Sequence, residues 1–417
     1  MAWENMEARS SARLAQFALS FGLTINTTGQ SFLLVVLPPL GRSLGFSDIQ
    51  TGGILSISAL LLMASAPVWG YLSERIGRRP VLLTALAGAA IAAALFGLLV
   101  HLRLAASLSA ALTLGLFICV RAAQSLASSG ILPASQAYMA DITIPAQRTS
   151  AMGILGAAMG LGAILGAALA WQIAPTSPGS AFAIVCGLAV AAFASVFFLA
   201  REPARVARET SVEARLPLAR IAPLLLITVA SISAYSVLQQ VTALRLQDAL
   251  GFTVEESIAR GGAALMATAM AMIAVQLFVV RLLRWEPVRL LGVGAAIAAI
   301  SLLICSLVDS YAAIFGTLVM LGVGLGLMLP GNLAFLSLST GAGAQGKAAG
   351  VNVLAQGLGQ AIGPLAGAAL HRISPQVPFL TATALLVLCC AVAIFIWRAS
   401  VCRKDPRSAS LADGQSR

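Results

Sequence analysis

Twelve apolar runs of about 20 residues or more follow one another through this 417-residue chain. They fall at 14–38, 48–71, 80–100, 106–138, 147–171, 179–200, 219–245, 257–282, 287–308, 311–338, 346–371 and 376–397. A run of that length spans the hydrocarbon core as a helix, because in lipid each backbone N–H and C=O must find its partner within the protein. Composition agrees: 59% of the residues are hydrophobic and 10% charged, whereas a soluble domain carries about a quarter charged residues. The expectation is an all-α integral membrane protein of twelve transmembrane helices in a lipid bilayer. Glu4, Glu7 and Arg9 precede a first run too long for a signal-peptide core, so no cleavable leader is expected.

An even number of crossings puts both termini on one face. Sorting the 26 Lys and Arg by alternate connections places 20 on that face. Arg42, Arg103, Arg245, Arg260 and Arg372 fall on the other, and Arg121 lies inside a run. The bias predicts a cytoplasmic arginine-rich face. It also reads the net charge of +11 as orientation charge, so no nucleic-acid partner is expected. Five of the six cysteines lie inside apolar runs and Cys402 in the basic tail, which favours buried thiols over disulfides. With His101 and His371 as the only histidines, no metal site and no cofactor are expected.

The longest polar connection, Arg201 to Arg220, divides the runs six and six. The expected organisation is a first six-helix bundle over 1–200, a cytoplasmic linker over 201–218, a second bundle over 219–398 and a cytoplasmic tail over 399–417. An internal repeat supports the division. Pro133, Ala137, Gly153, Gly160, Gly162 and Gly166 match Pro330, Ala334, Gly350, Gly357, Gly359 and Gly363 at a constant offset of 197. A second echo, Leu44-Gly45-Phe46-Ser47 against Leu250-Gly251-Phe252-Thr253, has an offset of 206. Two similar bundles related by an axis along the membrane normal place a substrate site near the midplane between them.

Between the second and third runs stands Gly70-Tyr-Leu-Ser-Glu74-Arg75-Ile-Gly77-Arg78-Arg79-Pro80. Its glycines permit turns or close approach, Pro80 suits a helix start, and its arginines hold the loop at a membrane face. The spacing resembles the signature loop of the major facilitator superfamily, G-x-L-x-D-R-x-G-R-[RK], with Glu74 in place of the usual Asp. Arg121-x-x-Gln124-Ser125 resembles the fourth-helix motif of proton-coupled facilitators, with Ser125 replacing a glycine. The stretch Ala137 to Arg148, containing Asp141, resembles the corresponding loop of tetracycline and multidrug exporters. The opening of the linker, Arg201-Glu202-Pro203, resembles the end of the sixth helix in many such exporters, although a solvated charge run explains its residues equally well. Glycines at 153, 156, 160, 162 and 166 resemble an antiporter motif that here lacks its proline and glycine pair; Gly363-Pro364 carries that pattern in the eleventh run.

The resemblance implies the major facilitator fold in a bacterial inner membrane, expected as a monomer, with residue roles as follows. Glu74, Arg75, Arg78, Arg79, Asp141 and Arg148, with Gly70 and Gly77, form a cytoplasmic gate. Gly156, Gly160, Gly162, Gly166, Gly359, Gly363 and Pro364 pack helices, which small-residue spacing also favours. Arg121, Gln124 and Ser128 share one face of the fourth run and line the substrate or coupling site. A charge at that depth costs from about 2.5 to more than 10 kcal/mol and must face a wet cavity or a partner. Asn26, Gln30, Tyr235, Gln239, Asn332, Asn352, Gln356 and Gln360 join that site or serve as interhelical glue. Trp69, Trp171, Trp285 and Trp397, at the ends of runs, read as anchors at the lipid headgroups.

All fifteen Asp and Glu lie in connections or at the ends of runs. One buried arginine, many amides and no midplane acid favour an anionic or zwitterionic solute, since arginine grips a carboxylate at two points. Asp48, Asp141 and Asp248, at helix mouths, remain as proton carriers. The expected function is export of a small amphipathic or anionic molecule, of the drug, metabolite or carboxylate-siderophore type, driven by protons. Uptake or facilitated diffusion of an organic anion and a transport-inactive sensor are the competing readings. An enzyme is disfavoured because no paired acids or nucleophile–base pair lies in the runs.

Overall fold

The computed structural model describes residues 2–143, 148–174, 176–202, 216–340 and 344–404, without the side chains of 2–11, Arg148, Thr149, Arg281, Gly346 and 397–404. The expected gate residue Arg148, most of the linker and the end of the tail therefore lie outside the described side chains. Among the described residues twelve helices are long and apolar enough to cross a membrane. We number them α1 (Ala2–Ser43), α2 (Asp48–Ile76), α3 (Arg78–Leu104), α4 (Ala110–Ile142), α5 (Arg148–Gln172), α6 (Pro178–Leu199), α7 (Leu218–Leu250), α8 (Val254–Val279), α9 (Pro287–Leu307), α10 (Tyr311–Ser339), α11 (Gln345–His371) and α12 (Val377–Lys404).

The echo at offset 206 is a turn used twice. Gly45 and Gly251 adopt φ of +87° and +68°, the left-handed region that glycine enters without strain. Two residues on, Ser47 and Thr253 cap α2 and α8 by accepting from the backbone N–H of Gln50 and Glu256, whose side chains accept in return from the cap N–H. Phe46 is buried in the first-half core and Phe252 packs against that of the second.

The echo at offset 197 is a packing device. Gly162 and Gly166 of α5 lie against the carbonyls of Thr24 and Thr28 of α1, and Gly359 and Gly363 of α11 lie against those of Val229 and Ser233 of α7. Each pair brings its helix against the first helix of its own half, closely enough that a Cβ would collide with backbone. The α1–α5 contact is also bonded: Thr24 and Ser31 donate to the carbonyls of Ala158 and Ala163 at 3.1 and 2.9 Å. Gly160 and Gly357 instead face the opposite half, at Ile273 of α8 and Met63 of α2. Gly156 meets nothing within 4 Å, so a packing role for it has no contact behind it here.

Further contacts join the halves. Leu365 N–H donates to Ser56 at 3.0 Å, and a Cβ on Gly52 would lie 2.6 Å from the Pro364 carbonyl. Gln240 donates to Thr51 at 3.3 Å, and Gly262 of α8 rests against the Trp171 backbone of α5. All these contacts lie between the middle of the bundle and its arginine-poor end.

Two helices are irregular. The path of α4 breaks between Ser128 and Ile131, where Trp69 Nε1 donates to the Leu126 carbonyl at 2.6 Å and Ser65 donates to Ser129 at 2.8 Å. Trp69 is thus a tie between helices, where the sequence favoured a headgroup anchor. Near its arginine-rich end α8 widens into a π-turn over Val275–Val279.

Candidate functional site

Arg121 lies eleven residues from the start of α4, about 16 Å along a helix rising 1.5 Å per residue, close to the middle of a core about 30 Å thick. Helical periodicity sets Gln124, Ser125 and Ser128 on its face, and all four are buried. Arg121 donates to Gln124 Oε1 at 2.7 Å. Its Nε, the hydroxyls of Ser125 and Ser128, and Oδ1 of Asn26 on α1 are buried without a hydrogen-bond partner among the described residues. No carboxylate among the described residues pairs with Arg121. Burying polar groups unpaired is costly, so this face carries unspent donors and acceptors for a bound molecule or water.

Other polar residues expected at the site divide into two groups. Asn332 of α10 donates to Thr228 Oγ1 at 2.9 Å and to the Leu224 carbonyl at 3.0 Å, while Thr228 donates to Asn352 of α11 at 2.7 Å. These amides tie α7, α10 and α11 through a threonine that sequence reading passed over. Gln30, Tyr235, Gln239 and Gln356 are half-buried and Gln360 is exposed. On α7 the neighbour Gln240, not Gln239, reaches across to the other half.

At the arginine-rich end, Arg78 Nε lies 3.4 Å from Asp141 and its terminal nitrogen donates to Ser73 at 2.9 Å. Arg79 donates to the Phe197 carbonyl at 2.6 Å and sits over that ring, as Arg75 sits over Tyr71. The carboxylate organising this loop is Glu202. It accepts from the backbone N–H groups of Arg78 and Arg79 at 2.6 and 2.9 Å, and so caps α3. Gly77, with φ of +106°, makes room: a Cβ there would lie 2.8 Å from that carboxylate. Gly70 has open space around it, and Glu74 is exposed. Sequence reading missed Glu202 because a linker charge looks solvated until the 124 residues separating it from Arg78 are folded together.

Arg42, Asp48, Gln247, Asp248 and His371 converge at the arginine-poor end and join the halves. The offset of 206 between Arg42 and Asp248, equal to that of the turn echo, was the available signal for their pairing.

The family model described as Major Facilitator Superfamily matches residues 19–364 and 284–414. Multidrug resistance protein 1 of Bacillus subtilis (strain 168) is 26% identical over 389 residues, covering 90% of this chain and 94% of its own. Tetracycline resistance protein, class D, of Salmonella ordonez is 33% identical over 181 residues, 42% of each chain. Among solved structures, a bacterial homolog of the human lysosomal transporter Spinster, inward-facing and unoccupied, superposes with a TM-score of 0.74 at 16% identity, covering 93% of this chain and 97% of its own. With twelve apolar helices, a twice-used turn and a twice-used glycine packing pattern, the chain belongs to the major facilitator superfamily of membrane transporters.

Proposed function

We infer that this chain exports small amphipathic or anionic organic molecules by alternating access, driven by the proton gradient and acting as a monomer. One observation carries the reading: Arg121 is buried near mid-membrane with an unpartnered Nε and no carboxylate partner among the described residues. A guanidinium so placed holds an anion with two-point geometry, and the amide and hydroxyls beside it accommodate polar groups of varied shape. The relative named for multidrug resistance, aligned along 90% of the chain, supports export and a broad substrate range. With the arginine-rich end in the cytoplasm, contacts at the opposite end correspond to a carrier closed outward and loading from within. The loop around Arg78, Asp141 and Glu202 then stands at the cytoplasmic mouth, where it acts in gating.

The test is transport in proteoliposomes under an imposed pH gradient, with a panel of organic anions, zwitterions and lipophilic cations. Anion movement that needs the gradient and falls at least tenfold in Arg121→Ala is expected. Movement that ignores the gradient replaces antiport with facilitated diffusion. A preference for lipophilic cations overturns the substrate class.

A further inference from the structure

Four charged or titratable side chains from four helices meet at the arginine-poor end, away from the face around Arg121. Arg42 of α1 donates twice to Asp48 of α2, at 2.8 Å each, and twice to Asp248 of α7, at 2.7 and 2.8 Å. It also donates to Gln247 at 3.0 Å. His371 of α11 sets Nε2 2.8 Å from the second Asp248 oxygen. The imidazole side chain is only 2% exposed, and its Nδ1 is buried without a partner among the described residues. Arg42 and Asp48 belong to the first half of the chain, Asp248 and His371 to the second. Because Arg42 and Asp248 occupy equivalent places in the repeat, their contact lies close to the pseudo-two-fold axis.

We propose that Arg42, Asp48, Asp248 and His371 form a latch between the two halves, and that His371 is its proton-binding site, releasing the latch when protonated. The direction follows from counting charge on each side. Arg42 and Asp48 together carry no net charge. Asp248 beside a neutral imidazole carries −1 and attracts Arg42 across the interface. A proton on His371 neutralises Asp248 from within its own half, so the imidazolium competes with Arg42 for the same carboxylate. Burial acts in the same sense, because the closed latch shuts the imidazolium away from water while an open one hydrates it. Acid at this end therefore favours opening here. The proton acts as a ligand that shifts the balance between two states, without having to cross the membrane.

The other titratable groups nearby leave His371 as the switch. Arg245 of α7 is turned to the carbonyls of Cys305 and Val308 and lies over Phe379. Arg372 follows His371 on α11, Tyr311 is the one titratable residue of α10, and α12 carries none before Cys389. An imidazole gains or loses its proton between about pH 5 and 8, a range that carboxylates and guanidinium do not cover without strong perturbation.

The test is a distance measurement on the full-length protein in nanodiscs without substrate, so it stands apart from any failure to transport. Spin labels on genetically encoded residues replacing Ser107 and Ser310, both exposed at this end, report the separation of the halves by pulsed electron resonance. Between pH 8 and 5.5 the ratio of short to long distances is expected to fall roughly fivefold or more. In His371→Gln, which keeps a hydrogen-bond donor and loses the titration, it stays within about twofold. A wild-type ratio that is constant or rises with acid overturns the proposal, with no variant needed. So does a His371→Gln protein that keeps the full wild-type response.

Discussion

The two ends of the bundle spend their charges differently. At the arginine-poor end Arg42 reaches from one half to Asp248 of the other, and both carboxylates it grips are gripped at two points. At the arginine-rich end the described bonds of Arg78, Arg79 and Glu202 stay inside the first half. At the arginine-poor end the charges both tie the halves together, through Arg42, and brace each half, through Arg103 and Arg245; at the other end those of Arg78, Arg79 and Glu202 brace the first half. Apolar packing adds to the contrast, since one buried cluster of the first half takes in Ile258 and Leu265 of α8, on the side of that helix nearer the arginine-poor end. A carrier that alternates needs such a division: weak, exchangeable ties where the halves part, and stronger ones that keep each half rigid.

Substitutions sharpen that contrast. The largest stability effect is expected from Gly77→Ala, which forces a side chain into φ of +106° and against the Glu202 carboxylate. It should lower the stability of the first half by about 1–3 kcal/mol, read as a fall in melting temperature, while Gly70→Ala, in open space within α2, does not lower it. Next comes Asp248→Asn, which takes the shared carboxylate from Arg42 and His371. It should disfavour the latched state by about 1–2 kcal/mol in the spin-label distances while barely moving the melting temperature, because the cores are untouched. Arg78→Lys keeps the charge and loses the fork that spans Ser73 and Asp141, so a cost of about 0.5–1 kcal/mol to the first half is expected by thermal unfolding. Glu74→Gln, at an exposed side chain, should change stability by less than about 0.5 kcal/mol. If Glu74→Gln instead costs as much as Gly77→Ala, the loop is organised by Glu74 and not by Glu202.

What the sequence made legible was whatever repeats or has a period. Twelve helices follow from apolar length, and the offsets of 197 and 206 mark positions that act twice: Gly162 with Gly359, Gly166 with Gly363, Gly45 with Gly251. The less legible features were bonds between residues far apart that obey no period. Asn332 and Asn352 looked free to meet a solute because nothing in sequence shows that Thr228, more than a hundred residues before either, lies between them. Glu202 looked solvated because capping a helix across space leaves no local pattern. Arg121 was legible for an energetic reason: a charge inside an apolar run is too costly to be incidental.

The most direct test of a solute site built on Arg121 is equilibrium binding of matched pairs, an amphipathic carboxylate and its neutral methyl ester, to purified wild type and Arg121→Gln. The account predicts that the wild type prefers the carboxylate by roughly tenfold or more and that Arg121→Gln abolishes the preference. A wild type that prefers the ester, or a preference for the carboxylate that survives Arg121→Gln, would contradict it.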